Sequence, residues 1–324
     1  MVIVVLDAAR VKETALSLGF DAAGITSALP LEAAHEKHFR DWLAAGCAAS
    51  MEYLSRRVEM RFDPGRLLAG ARSVVCVAVA YKPASVPSRP TRGEPCGRVA
   101  VYGLYDDYHV FIRERLRRLG RAMGGREEHR FRACVDTAPL AERALAQRAG
   151  LGFIGKNRIL IHPRFGPQVF LGELVTTAAL EPDAPAEGGC GDCRLCIDAC
   201  PTGALRPDGT LDARRCVSYL TGEHDGPIDA ELSGRLGDAL YRCERCMEAC
   251  PYARRAPART RTDFGFHPER RWLSLPEVAR WSPADFDRVF AGSAVTWTGV
   301  ERLRRNAACC LKGSSHDRRT PADG

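Results

Sequence analysis

Eight cysteines between positions 190 and 250 have the types and spacing that do chemistry. Cys190, Cys193, Cys196 and Cys200, followed by Pro201, spell C-x2-C-x2-C-x3-C-P, the run in which bacterial ferredoxins hold [4Fe-4S] clusters. Cys216 and then Cys243, Cys246 and Cys250 before Pro251 form a second group with the same C-x3-C-P ending. In two-cluster modules of this pattern the last cysteine of each run ligates the other cluster. The spacing therefore assigns Cys190, Cys193, Cys196 and Cys250 to cluster 1, and Cys200, Cys216, Cys243 and Cys246 to cluster 2. Four-cysteine zinc sites also use C-x2-C pairs, but zinc explains neither a third cysteine three residues on nor the repeated Cys-Pro. The other six, Cys47, Cys76, Cys96, Cys134, Cys309 and Cys310, lack ligand spacing and read as small hydrophobes.

A second glycine-based motif is set aside. Gly150, Gly152 and Gly155 spell G-x-G-x-x-G, and Gly155-Lys156 nearly completes a P-loop, but Asn157 stands where a hydroxyl must bind magnesium. Both nucleotide motifs also need a strand before and a helix after. Here a helix precedes and the strand-like Arg158 to Ile161 follows.

The elements that must position the chemistry follow from periodicity. Asp7 can cap a helix ending near Gly19, and Phe39, Trp42 and Leu43 fall at helical spacing between Leu31 and Ala45. SVVCVAVAY, residues 73–81, reads as a fully buried strand. A loop with Pro83, Pro87, Pro90 and Pro95 follows it. Tyr108, Ile112, Leu116, Leu119 and Met123 predict an amphipathic helix. Pro139 to Arg148 predicts a shorter helix closed by Gly150, and Gln168 to Thr177 a second strand. Ser274 and Ser282, each with an acidic residue three positions on, mark helix starts.

The alternation predicts an α/β or α+β domain over 1–178. A ferredoxin-like module over 179–256, a helical C-terminal segment over 257–311 and a disordered tail over 312–324 follow. The fold class expected is α+β, with an α/β-type first domain. The apolar run Val2 to Leu6 is too short for a signal peptide, and no later run reaches membrane-spanning length. A cytoplasmic, monomeric protein is expected, whose thiols stay reduced. The net charge is +7, and from Asp107 to Arg132 eight arginines face four acidic residues. Such a stretch is either a surface that tracks phosphates or a solvated helix face.

The stretch 134–177, CVDTAPLAERALAQRAGLGFIGKNRILIHPRFGPQVFLGELVTT, closely resembles the epoxyqueuosine reductase family. So do LGFDAAGIT near the N-terminus, DYH at Asp107 to His109, CPTGAL, CVSYLT and LRRNA, so that the likeness covers most of the chain. The resemblance implies a cobalamin held without its lower axial base and two [4Fe-4S] clusters, fed by an external low-potential electron donor. It implies reduction of the epoxide of epoxyqueuosine, at the wobble position of a tRNA, to queuosine. The family's proton donor is the Asp of V-D-[ST], here Asp136, whose pKa should be raised if it is to act near neutrality. From local sequence alone, Asp136 reads first as a cap of the helix beginning near Pro139. By the same transfer, Arg61, Tyr108, His109, Asp136, Leu160 and Ser218 would line the corrinoid, and Arg143 and Lys156 would face the substrate.

The chain departs from the family pattern at Val101 and Tyr105, where an Arg and a Gly are usual, and at Thr296-Trp297, which replace paired arginines. These departures bear on the substrate more than on the cofactors. Two other classes fit a cluster module joined to a larger domain: a dehalogenase-like corrinoid reductase of a small molecule, and an electron carrier without a substrate. A carrier would take up no corrinoid.

Overall fold

The structure, a computed structural model, describes residues 7–91, 93–124, 129–259 and 263–317. The Val2 to Leu6 run, Arg126 and residues 318–324 of the expected tail lie outside them. Within them the strands are β1 Ala22–Ser27, β2 Ser73–Ala80, β3 Cys96–Val99, β4 Phe131–Cys134, β5 Phe153–Ile154, β6 Leu160–Ile161, β7 Val169–Thr176, β8 Ala239–Tyr241 and β9 Trp272–Ser274.

Four of them form a sheet in the order β1-β2-β7-β4, antiparallel at every pairing. Of the two patterns the alternation allowed, this is α+β. β2 is central and buried at every position. Its side chains alternate between two cores. Val75, Val77 and Val79 meet Val11 and Ala15 of the Ala8–Ser17 helix, and Ile112, Leu116 and Leu119 of the Tyr108–Ala122 helix. Val74, Cys76 and Ala78 meet Leu145 and Ala146 of the Glu142–Arg148 helix. Cover on both faces is why the run is continuously apolar. Each large aliphatic side chain buried here contributes roughly 2 kcal/mol. Gly172 of β7 lets the Tyr108–Ala122 helix come close, since a Cβ there would stand 2.5 Å from Ile112 Cγ2.

A second sheet, β8-β3-β9, joins parts of the chain expected to be separate. Val99 and Leu104, placed in the first domain by sequence, pack with Leu220, Leu240, Phe290 and Leu303. The Pro-rich loop has carried them across to the cluster module. Three other expectations shift. The predicted 139–148 helix begins at Glu142, because Ala141 is held by the carbonyl of Arg61 instead. The C-terminal helix, Gly299–Asp317, takes in 312–317 of the stretch expected to be disordered; it is anchored through Leu303, Ala307 and Cys310 in the core. Gly150, Gly152 and Gly155 lead from a helix end into the antiparallel β5–β6 hairpin, not into a helix. Ser274 and Ser282 do cap helices, the latter in a full capping box with Asp285. Of the six cysteines outside the runs, Cys47, Cys76, Cys134 and Cys310 are buried.

Candidate active site

The DYH segment positions an imidazole through a helix cap. Asp107 is the N-cap of the Tyr108–Ala122 helix, its Oδ1 accepting from the His109 amide at 2.9 Å. The same oxygen lies 2.7 Å from His109 Nδ1. His109 Nε2 in turn lies 3.3 Å from Asp136 Oδ2. Burial and the helix N-terminus both disfavour a cation here, but the two carboxylates outweigh them and push the imidazole up to about 9.

Asp136 sits in the turn after β4 with φ +48°, a left-handed conformation that costs a non-glycine residue on the order of 1 kcal/mol. Its amide donates to Glu142 Oε1 at 2.5 Å. Its carboxylate is 60 % exposed, yet faces Tyr108, His109 and Arg242, as a group on the floor of a cleft does. The raised pKa expected of it is corrected. Burial pushes the carboxyl up, but the imidazolium of His109, with Tyr108 and Arg242, holds it below the ordinary carboxylate range. Nor does Asp136 cap the next helix, whose N-cap position is Ala141.

Around this floor, Tyr108 lies flat against Phe170, with ring centroids 4.3 Å apart, and stacks on His109 at 4.0 Å. Arg61 feels the charges of Asp136, Glu142 and Tyr53. Among the described residues its buried Nε has no hydrogen-bond partner. Arg143 lies within electrostatic reach of Asp136 and Glu142 and donates to the Arg158 carbonyl. Ser218 is half-buried in the Val217–Gly222 helix, and its carbonyl accepts from Arg242 at 3.3 Å.

Two expected contacts change. Leu160 is 1 % exposed and packed in the core behind β2, so its side chain does not line the cleft. Lys156 does not face it either: its Nζ donates to the carbonyls of Gly191 at 2.6 Å and Cys193 at 3.0 Å. The β5–β6 hairpin turns this ammonium onto the first cysteine run.

Residues that the sequence did not assign to the site complete the cleft. Arg242 pairs with Glu223 at 2.6 Å, and its charge bears on both Asp136 and Cys216. Tyr53 is pushed up to about 12, chiefly by burial and then by Glu223 and Asp136. Trp297, one of the departures from the family pattern, is 69 % exposed, with its indole Nε1 3.5 Å from Glu223 Oε2. An arginine immediately before Cys243 was the one available signal for Arg242.

The cysteines gather as two sets. Cys190, Cys193, Cys196 and Cys250 line one cavity of about 170 Å³ with Lys156, Asn157 and Tyr252. Cys246 feels Cys243, Cys216 and Cys200, and also Cys196 of the first set. Among the described residues no three His, Cys, Asp or Glu side chains converge on a single-ion site. Thiols spread around a cavity suit a multi-iron cluster.

Of the basic stretch, Arg117, Arg118 and Arg121 are exposed. Arg115 is committed to the Leu18 carbonyl and Asp263, and Arg130 to the Ala69 carbonyl. No helix among the described residues is long and apolar enough to cross a membrane.

Residues 61–137 match the family described as epoxyqueuosine reductase QueG, DUF1730, and residues 189–253 match the 4Fe-4S double cluster binding domain. The epoxyqueuosine reductase of Escherichia coli (strain K12) is 37% identical over 315 residues, 96% of this chain and 82% of that protein. That of Gloeobacter violaceus is 37% identical over 316 residues, covering 96% and 97%. Among solved structures, the epoxyqueuosine reductase of Streptococcus thermophilus superposes with a TM-score of 0.86 at 32% identity, over 94% of this chain and 81% of that one. One with an epoxyqueuosine-modified tRNA-Tyr stem loop gives 0.88 at 32%, over 94% and 80%. One from Bacillus subtilis, with its aspartate catalytic loop swung out of the active site, gives 0.86 at 32%, over 94% and 81%.

Proposed function

The chain belongs to the epoxyqueuosine reductase family, and we propose that Asp136 and His109 deliver the proton as it reduces the epoxide of epoxyqueuosine in tRNA to the alkene of queuosine. The balance is two electrons and two protons in, one C=C formed, both epoxide C–O bonds broken and the oxygen released as water. Electrons come from an external low-potential donor through two [4Fe-4S] clusters. We assign cluster 1 to Cys190, Cys193, Cys196 and Cys250, and cluster 2 to Cys200, Cys216, Cys243 and Cys246. Cys216 and Asp136 both lie within electrostatic reach of Arg242. With tRNA as substrate we expect a cytoplasmic enzyme, and a monomer.

The cleft suits a cobalamin. Arg61 and Arg242 each keep a buried Nε–H without a partner among the described residues, and a corrin is rimmed by amide carbonyls that accept such bonds. With Tyr108, His109, Asp136 and Ser218 these side chains would hold it, and Arg143 would meet the substrate. When bound, the corrinoid supplies a reduced cobalt centre for two-electron chemistry. The residues do the rest. Asp107 fixes the tautomer and orientation of His109. His109 supplies one proton through Nε2 to Asp136 Oδ2, Asp136 passes it to the departing oxygen, and solvent supplies the second proton that lets the oxygen leave as water.

The carrying observation is the 3.3 Å contact between His109 Nε2 and Asp136 Oδ2 on the cleft floor. At neutral pH the pair holds one proton even though Asp136 alone is too acidic to keep it. Asp136→Asn is the test: it should keep cobalamin and clusters, yet convert epoxyqueuosine-containing tRNA about a hundredfold more slowly or worse, read by mass spectrometry of the nucleosides. Turnover at the parent rate would remove Asp136 from the chemistry.

A further inference from the structure

Behind the cleft floor stand two carboxyls that the proton delivery does not use. Glu173, on β7, lies opposite Cys134 on one side and Cys76 on the other. Its side chain is 0 % exposed, and among the described residues no donor group reaches either of its oxygens; the side chain within hydrogen-bonding reach is that of Glu142. Its nearest charges are Glu142 and Asp136, both of the same sign. Glu142, half-buried at the start of its helix, carries the oxygen that accepts the Asp136 amide.

We propose that Glu142 is a positioning residue that latches the left-handed turn of Asp136, and that it shares one proton with Glu173. The inference rests on the reading of Asp136 as proton donor. A carboxylate sealed among apolar strands beside another carboxylate cannot stay ionised, so Glu173 is the neutral partner. Its hydroxyl is then free to turn toward Glu142. Glu142 is itself pushed up to about 7, by burial first and by Asp136 second.

The groups facing the pair do not relieve it. Among the described residues, Asp136 adds negative charge, Tyr108 and the thiols Cys76 and Cys134 are neutral, and Arg61 and Arg143 oppose. Both arginines act on Glu142, on the cleft side. The arrangement gives the strained turn a reason to hold. With φ at +48°, Asp136 relaxes outward unless its amide is kept, and the Bacillus subtilis structure shows that an aspartate loop in this family can leave its site.

The test uses the cluster- and cobalamin-loaded protein. Glu142→Ala should lower kcat on an epoxyqueuosine-bearing stem loop at least tenfold with KM unchanged, and should speed amide hydrogen exchange in the 131–141 peptide. Glu142→Gln, which keeps an oxygen acceptor, should recover most of both losses. In infrared spectra at neutral pH the parent should show the C=O stretch of an un-ionised buried carboxyl, absent from Glu173→Gln. Parent-like exchange in Glu142→Ala, or exchange in Glu142→Gln as fast as in Glu142→Ala, overturns the latch. A missing carboxyl band in the parent, or one that survives Glu173→Gln, overturns the shared proton. If the parent itself leaves the epoxide intact, the functional reading fails, while exchange and infrared still decide the latch and the pair.

Discussion

Replacing Asp107 by Asn removes one negative charge from His109 while leaving the helix start intact, because Asn caps as well as Asp. In the parent the imidazole is held at about 9 against an ordinary 6.5, worth about 3 kcal/mol at roughly 1.4 kcal/mol per pH unit. Two carboxylates oppose its burial, Asp107 at 2.7 Å and Asp136 at 3.3 Å. Asp107 is closer, so its loss should remove half of the rise or more, on the order of one pH unit. The sign follows from where the proton sits. A pKa raised by folding gives stability that is fully present below 6.5 and lost as pH climbs to about 9. The pair likewise can deliver its proton only while His109 is charged. Single-turnover rates on an epoxyqueuosine stem loop, measured across pH with excess reductant, should fall off near 9 in the parent. In Asp107→Asn the fall should come about one unit lower, and the pH dependence of unfolding between 6.5 and 9 should shrink with it. An alkaline limb that does not move would mean that it reports another group, and that His109 is not the proton's source.

Three further outcomes are expected. Anaerobically reconstituted protein should hold about eight iron and eight sulfide, and Cys200→Ala should abolish the signal of the cluster shared with Cys216, Cys243 and Cys246 while the other persists; zinc in their place, or loss of both signals in folded protein, refutes the pairing. Arg117→Glu with Arg118→Glu should raise the Kd for an anticodon stem loop and flatten its salt dependence by about two charges, with cobalt and iron content unchanged. Trp297→Ala should raise KM for the stem loop with little change in kcat, as expected for an exposed ring on which an unpaired base stacks; equal KM values would show that the ring serves only Glu223.

What the sequence made legible was chemistry fixed by local spacing. The two cysteine runs are readable because a cluster constrains neighbours a few residues apart. The 73–80 strand and the 108–122 helix are readable because burial imposes their periods. Properties set by register across the sheet were hidden. Nothing near Glu173 in the chain says that β2 and β4 will place Cys76 and Cys134 on either side of it. The acidity of Asp136 is hidden for the same reason: its immediate neighbours are apolar, and the imidazole that controls it comes from 27 residues away. Lys156 looked free to reach substrate until the β5–β6 hairpin set its direction. Arg242 and Glu223 belong to no motif, and only their pairing beside Asp136 gives them a role.

The electron side and the proton side of the cleft meet at Arg242. It directly precedes Cys243, and its carbonyl-bound neighbour Ser218 directly follows the Cys216–Val217 step, so two of the cysteines proposed to hold cluster 2 are a residue or two from the cleft wall. With a cluster bound there, a negative charge added by its reduction would lie close to Arg242 and, in a partly buried site where screening is weak, would oppose the arginine's positive field at Asp136. The Asp136 carboxyl would then be a weaker acid and would keep a proton longer in the His109–Asp136 pair. Glu223, 2.6 Å from Arg242, limits the effect by holding the guanidinium in place. Exchange of that arginine for a neutral residue should therefore uncouple the alkaline limb of the rate from the redox state of the cluster.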